Sequence, residues 1–435
     1  MTRMKDSGIE WIGEVPEEWG ITKIKFITQL NGRIGWQGLT SAEYKEEGPY
    51  LITGTDFLDG KINFETAVHI DEKRWFEAKQ IQVENGDLLI TKDGTVGKVA
   101  IIEGLNEKAS LNSGVLRIQT TENISRRFLF YVLKSDVFWL WFNYTNSGAS
   151  TILHLYQNVF DEFSFTFPNI SEQTQIADFL DKKVAQLDKV KSLLEEQIKT
   201  LEDYRQSLIY ETVTKGLDKT VPLKDSGVDW IGQIPEGWGV KPIKHLSEFV
   251  NGYAFNSRDF TRENTEVKVI RIGDFTQAGI DFASAVFLNN VNIENLAHFR
   301  IGKKQILIAM SGATVGKIAY VESNPKNANL INQRVGIIKS NIGKYLYYWL
   351  YTTSFTEYIL LNSNGSAQPN ISSGQIGNFL SPLPSIEEAN EIADFLDKKT
   401  EQINQMIVIK KEQIENINKQ HRTLIYDYVT GKRRI

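Results

Sequence analysis

The chain contains no cysteine. Disulfide stapling, thiolate zinc sites and thiol redox chemistry are thereby excluded, and the composition fits a reducing compartment, so a cytoplasmic location is expected. The five histidines, His69, His154, His245, His298 and His421, share no metal-ligand spacing and accompany no nucleophile motif. A long apolar run is also missing. The most hydrophobic stretch, 128–142, is interrupted by Lys134, Ser135 and Asp136 and is too short to span a bilayer. No N-terminal run joins a basic end to an apolar stretch, so no secretory signal is expected. Neither an Asn-Pro-Pro-aromatic methyltransferase signature nor a helicase phosphate loop is present. Nuclease carboxylates, whose spacing is loose, stay open on this reading.

Net positive charge is lacking too. At −5, the balance argues against a generic polyanion binder, because non-specific nucleic-acid affinity comes from Lys and Arg neutralising phosphates. The charge is uneven, however. Residues 250–345 hold 12 Lys+Arg against 7 Asp+Glu, a local +5, whereas residues 31–135 hold 13 against 15, a local −2.

What the chain does have is repetition. Lys5-Asp6-Ser7-Gly8-Ile9-Glu10-Trp11-Ile12-Gly13 returns about 219 residues later as Lys224-Asp225-Ser226-Gly227-Val228-Asp229-Trp230-Ile231-Gly232. Pro16-Glu17-Glu18-Trp19-Gly20 returns as Pro235-Glu236-Gly237-Trp238-Gly239, and Thr95-Val96-Gly97-Lys98 as Thr314-Val315-Gly316-Lys317. Ile176-Ala177-Asp178-Phe179-Leu180-Asp181-Lys182-Lys183 matches Ile392-Ala393-Asp394-Phe395-Leu396-Asp397-Lys398-Lys399. So long a period is a duplication of whole domains, unlike solenoid repeats of about 20–50 residues. At 435 residues the chain fits two to four domains.

Each half runs from a tryptophan-containing lead-in, through a β-rich globular region, to one long helix. Residues 86–91, 92–95 and 96–102 read as turn and strand, tight turn, and strand, a hairpin pattern that 305–309, 311–312 and 315–321 repeat. The stretches 128–142 and 345–361 carry aromatic and aliphatic residues at helical spacing and are expected to be core helices. From Ser171 to about Lys215, apolar positions from Ile176 to Leu208 step by three or four without Pro or Gly, with Ser171 as the expected cap and Gly216 closing the end. The second copy opens with Ser385 and Glu388 in capping-box spacing and ends at Gly431. Each rod, of roughly 45 residues at about 1.5 Å per residue, would be on the order of 65–70 Å long, and the two are expected to pack against each other.

Gly94 to Lys98 and Gly312 to Lys317 resemble fragments of a phosphate loop without being one. A Walker A loop requires glycine where Lys92 and Ser311 stand, and Ser or Thr where Val99 and Ile318 stand. Trp11, Trp19, Trp230 and Trp238 could stack bases but more simply pack each lead-in onto its domain. The loops 146–150 and 364–368 are polar and contain glycine, and either contact phosphates or simply turn.

Taken together, the paired Trp-Ile-Gly-x-[Val/Ile]-Pro-Glu-x-Trp lead-ins, the 86–98 segment, Asn112 and Asn332, and the Pro168 and Pro384 exits into Ile-Ala-Asp-Phe-Leu-Asp resemble the specificity subunits of type I restriction-modification systems. The resemblance covers essentially the whole chain. It implies an α+β fold: two β-rich mixed target-recognition domains, 1–168 and 217–383, separated by two long antiparallel coiled-coil helices, 169–216 and 384–435, as an internal duplication with pseudo-twofold symmetry. It further implies a non-catalytic chain without cofactor. Each half would read part of a bipartite, asymmetric site in double-stranded DNA. Two modification subunits using S-adenosylmethionine, and restriction subunits using ATP and Mg, would be the partners.

Direct readout needs Arg, Lys, Asn, Gln or small polar side chains at base edges. Candidates in or beside turns between short strands are Arg33, Trp36, Lys92, Lys98 and Arg117 in the first half, and Tyr253, Arg258, Arg271, Lys317 and Arg334 in the second. The competing readings are a coiled-coil scaffold without DNA binding and a fused restriction-modification enzyme.

Overall fold

The computed structural model describes residues 3–33, 39–146, 153–263, 265–276, 279–289, 294–325, 328–363 and 368–435. The chain divides into two compact units, one made of Met1–Leu194 with Lys411–Ile435 and the other of Glu195–Lys410.

In the first unit the strands Thr28–Gly32, Leu88–Thr91, Val99–Ile101 and Val115–Thr120 form an antiparallel sheet in which Leu88–Thr91 lies between Val99–Ile101 and Val115–Thr120. Leu88, Leu89 and Ile90 are all fully buried because this sheet is covered on both faces. Leu88 and Ile90 point into a core shared with helices, and Leu89 points into a second core beneath the other sheet. That explains why the sequence shows an unbroken apolar run there and no alternation. The second sheet joins Lys45–Ile52, Val68–His69, Gln82–Val83 and Ala109–Leu111, and its Ala109–Leu111 strand runs parallel to Lys45–Ile52.

The second unit repeats the plan. Glu248–Asn251, Ile306–Ala309, Ile318–Tyr320 and Val335–Lys339 form the doubly covered sheet. Val267–Ile270 and Ala328–Ile331 form the parallel pair. The departures lie at the sheet margins: Phe260–Thr261 adds an outer strand, and a single bridge between Arg300 and Leu330 stands where the first unit has Gln82–Val83.

Each expected core helix is in fact two. Arg126–Lys134 and Asp136–Thr145 meet at Ser135, whose hydroxyl donates to the Val132 carbonyl and accepts from the Val137 amide at 3.2 Å, ending one helix and capping the next. Thr352 occupies the same place between Gly343–Leu350 and Thr353–Ser363.

The long helices are Ile170–Lys215 and Ile386–Val429. The first is capped by Asn169, whose Oδ1 accepts from the Glu172 amide at 3.0 Å, so Ser171 lies inside the helix. The second is capped by Ser385, which accepts from the Glu388 amide at 3.1 Å; the Glu388 carboxylate, instead of turning back to close a capping box, accepts from Trp238 Nε1 at 2.9 Å. Both units contain a segment of each helix, paired antiparallel. In the first, Phe179 packs on Tyr428 with ring centroids 4.6 Å apart, and Ile176, Leu180, Val184, Ile425 and Val429 share one core. In the second, Lys410 Nζ donates to Gln197 Oε1 at 2.6 Å and Arg205 donates to Asn404.

The C-terminal turns of these helices seat on the lead-ins. Gly431 (φ +71°) closes the second helix beside Pro16 and Trp19, and Gly216 (φ +70°) closes the first beside Pro235 and Trp238. Tyr426 donates to the Trp11 carbonyl at 2.8 Å, and Tyr210 donates to the Ile231 carbonyl at 3.2 Å. Trp19 and Trp238 are almost fully buried as a result.

This seating yields a prediction. Gly13 has the same φ of +71° as Gly431, but a Cβ there would meet nothing, whereas at Gly431 it would lie 2.5 Å from Pro16 Cδ. Gly13→Ala is expected to cost about 1–2 kcal/mol through backbone strain alone, and Gly431→Ala distinctly more. Thermal unfolding of the two variants checks this, and equal shifts would show that the helix end does not bear on Pro16.

Candidate nucleic-acid interface

At one end of the first unit, four loops are tied together by backbone. The Lys92 amide donates to the Gly114 carbonyl at 2.8 Å, the Leu155 amide to the Lys92 carbonyl at 2.9 Å, and the Asn112 amide to the Ile52 carbonyl at 2.9 Å. Thr95 Oγ1 donates to the Gly54 carbonyl at 3.2 Å. The second unit makes the same bonds from the same places. The Met310 amide donates to the Arg334 carbonyl at 2.9 Å, the Ile371 amide to the Met310 carbonyl at 2.9 Å, and the Asn332 amide to the Ile270 carbonyl at 3.0 Å. Thr314 Oγ1 donates to the Ile272 carbonyl at 2.9 Å. Asn112 and Asn332 each fold the side-chain oxygen onto the next amide, at 2.6 and 2.9 Å, which fixes the turn after the parallel strand.

On this shared backbone the side chains differ. Where the first unit has Thr53, Lys92, Asp93, Gly114 and His154, the second has Arg271, Met310, Ser311, Arg334 and Asn370. In the first, His154 pairs with Asp93 through Nδ1 and its ring packs on Tyr156. In the second, Arg334 Nη1 donates to Asn370 Oδ1 at 3.2 Å, and Ser311 forms a bridge with Asn370. Asp274, almost fully buried, accepts from the Arg271 amide at 2.7 Å and lies 3.8 Å from its guanidinium.

The residues singled out from sequence fall into three groups. Lys92, Arg271 and Arg334 belong to these clusters. Tyr253 borders the second, bridged to Asn332, with its exposed ring against Phe255 and Phe299. Lys98 and Lys317 are exposed on the hairpins, Lys98 Nζ reaching the Phe57 carbonyl at 3.5 Å, and Arg258 is exposed on the turn leading to the outer strand Phe260–Thr261. Two side chains turn inward. Arg33 is 6% exposed, and its guanidinium donates to the Leu111 carbonyl at 2.9 Å and to Ser110 Oγ at 3.1 Å. Burial, with the charge of Arg74 adding to it, pulls its pKa down to about 10. Arg117 is gripped by Asp87 at 2.8 Å and donates to the Gln82 carbonyl at 2.9 Å. Neither guanidinium is presented to a base edge in this arrangement. Trp36 and most of the loops 146–150 and 364–368 lie outside the described residues.

Sequence reasoning passed over His154 and Asn370. His154 lies four residues beyond the first polar glycine-containing loop and Asn370 two beyond the second, which was the one available signal. Among the described residues there is no group of three or more His, Asp or Glu side chains that could hold a metal, and no helix is long and apolar enough to cross a membrane.

Residues 16–202 and 235–416 each match the family described as the type I restriction modification DNA specificity domain. The chain belongs to this family. Its duplication is thus a duplication of the specificity domain, and each copy carries one of the two loop clusters. The chain is 26% identical to the type I restriction enzyme MjaVIII specificity subunit of Methanocaldococcus jannaschii, over 97% of this chain and 94% of that protein. It is 25% identical to the EcoBI specificity subunit of Escherichia coli, over 80% of this chain and 72% of that one. In fold it resembles a solved chain described in connection with complex assembly and conformational transition of the type I R-M system, with a TM-score of 0.74 at 15% identity over 96% of this chain and 99% of that one. The HsdS subunit from Thermoanaerobacter tengcongensis is also similar, with a TM-score of 0.52 at 14% identity over 96% and 98% of the two chains.

The Arg117–Asp87 pair supports the first specificity domain from within. Asp87 is 1% exposed, so Asp87→Ala strands a largely buried guanidinium and is expected to cost about 3–5 kcal/mol. Replacing both partners by apolar residues of similar volume is expected to restore most of that stability. Urea unfolding midpoints of the single and double variants measure the difference.

Proposed function

We propose that this chain is the sequence-reading, non-catalytic subunit of a type I restriction-modification complex, each specificity domain reading one half of a bipartite, asymmetric site in double-stranded DNA. One observation carries the reading: the two units hold the same loops with the same backbone hydrogen bonds and present different side chains on them. A shared frame gives both domains one way of addressing a duplex. Different donors and acceptors on that frame give each its own letters.

In this reading residues 1–168 and 217–383 are the reading domains, and 169–216 and 384–435 are the helices that set the gap between half-sites. The chemistry belongs to partners. Two modification subunits would carry S-adenosylmethionine and transfer its methyl group to adenine, and restriction subunits would use ATP and Mg, all in the cytoplasm. The reading residues proposed are Lys92 and His154 in the first domain and Arg271, Arg334 and Tyr253 in the second, where Asn370 supports Arg334. Lys98, Lys317 and Arg258, exposed beside them, are better placed for phosphates, which fix register without carrying sequence.

Two outcomes are expected. The chain with its modification partner, incubated with random duplexes at moderate salt, should enrich two short motifs separated by a fixed number of unspecified base pairs; sequencing of the bound fraction tests this, and recovery without any shared motif refutes the reading. Inserting one heptad near residue 194 and one near residue 410 should lengthen the unspecified gap and leave both motifs intact. Changed letters with an unchanged gap would show that the helices do not measure the spacing.

A further inference from the structure

Within the second loop cluster two arginines stand in different electrostatic settings. Arg271 has Asp274 at its guanidinium, so part of its charge is already answered. Arg334 is exposed, and among the described residues it has no carboxylate partner. Its side-chain hydrogen bond is to Asn370 Oδ1, a neutral acceptor, at 3.2 Å. A neutral amide can aim a guanidinium without neutralising it. One Nη1 proton is engaged, and the donors on Nε and Nη2 are left for a ligand in their fixed planar fork.

The base of this side chain is equally constrained. The Arg334 carbonyl is held by the Met310 amide, and the turn before it is closed by Asn332 Oδ1 on the Gln333 amide. Asn370 is fixed in turn by its bridge with Ser311, and the next amide, of Ile371, by the Met310 carbonyl. The backbone beneath the pair is therefore tied to three segments at once, and the Asn370 bond gives the guanidinium a direction.

We infer that Arg334 is a specificity-determining residue that reads a guanine in the second half-site through O6 and N7, with Asn370 as its positioning residue. The inference rests on the DNA-reading function proposed above and narrows it to one base. A planar pair of donors matches two adjacent acceptors on one base edge, and guanine alone offers that pair in the major groove. The first specificity domain has no counterpart, since Gly114 stands where Arg334 does and Asp93, beside Gly114, is engaged by His154. The guanine contact is thus a property of one half-site only.

The test is the enriched motif of the full chain with its modification partner, for the wild type and for Arg334→Ala, Arg334→Lys and Asn370→Ala. Arg334→Ala should relax one guanine position of one half-site by about 5- to 150-fold in relative preference and leave the other half-site and the gap unchanged. Arg334→Lys, which keeps the charge but loses the fork, should relax the same position. Asn370→Ala should relax it to a smaller degree. Thermal unfolding of each variant separates misfolding from lost reading, and the lysine variant keeps the test alive if the alanine variant is unstable. Uniform weakening across all sequences, with a salt dependence reduced by about one phosphate contact, would overturn the inference by making Arg334 a backbone contact. An unchanged motif in all three variants would overturn it as well. If the wild-type complex enriches no motif at all, the proposed function fails with it.

Discussion

The main core of each unit is organised around a helix end pressed against a tryptophan. Gly431 and Gly216 adopt the left-handed conformation that stops a helix; at Gly431 proline and indole leave no room for a side chain, and at Gly216 the Glu388 carboxylate and the Trp238 indole press close, at 3.1 and 3.3 Å from where a Cβ would lie. That contact buries Trp19 and Trp238, aligns the lead-in hairpins, and lets Tyr426 and Tyr210 reach lead-in carbonyls. The doubly covered sheet packs against the same core, so the loop clusters at its strand ends inherit their position from the helix end. The dependence runs from a cap, to a core, to a reading surface.

The two loop clusters show how specificity can diverge while a fold is kept. The bonds that shape them are made by backbone atoms and by fixtures present in both halves, Thr95 with Thr314 and Asn112 with Asn332. The side chains that differ hold none of the shared bonds. Substitution at Thr53 or Arg271, at Gly114 or Arg334, at His154 or Asn370 therefore alters what is offered to a ligand at little cost to the frame.

The repeat, the long helices and the hairpins were legible because they are written in local periodicity and in turn residues. Less legible were the contacts that depend on residues far apart in sequence. Nothing near Arg33 or Arg117 signals that Leu111 and Asp87 wait to receive them; both looked like turn-flanking cations and prove to be internal ties. His154 and Asn370 escaped for the complementary reason, since their partners Asp93 and Arg334 lie far upstream. The cap at Asn169 and the breaks at Ser135 and Thr352 are smaller cases, in which several polar residues could have served and backbone geometry chose one.

The composition of the first unit has a kinetic side. Ile425, Tyr428 and Val429 belong to the same core as Ile12, Val15 and Trp19, and Arg434 pairs with both Glu18 and Glu172. The second unit is one continuous segment, Glu195–Lys410. The first joins two separate segments and needs residues 411–435 before its core is complete, so it closes only through contacts that span most of the chain. Contacts of such long sequence separation form slowly, and until they do the apolar face of the first lead-in stays open to proteases and chaperones. A chain deprived of residues 411–435 leaves that face uncovered.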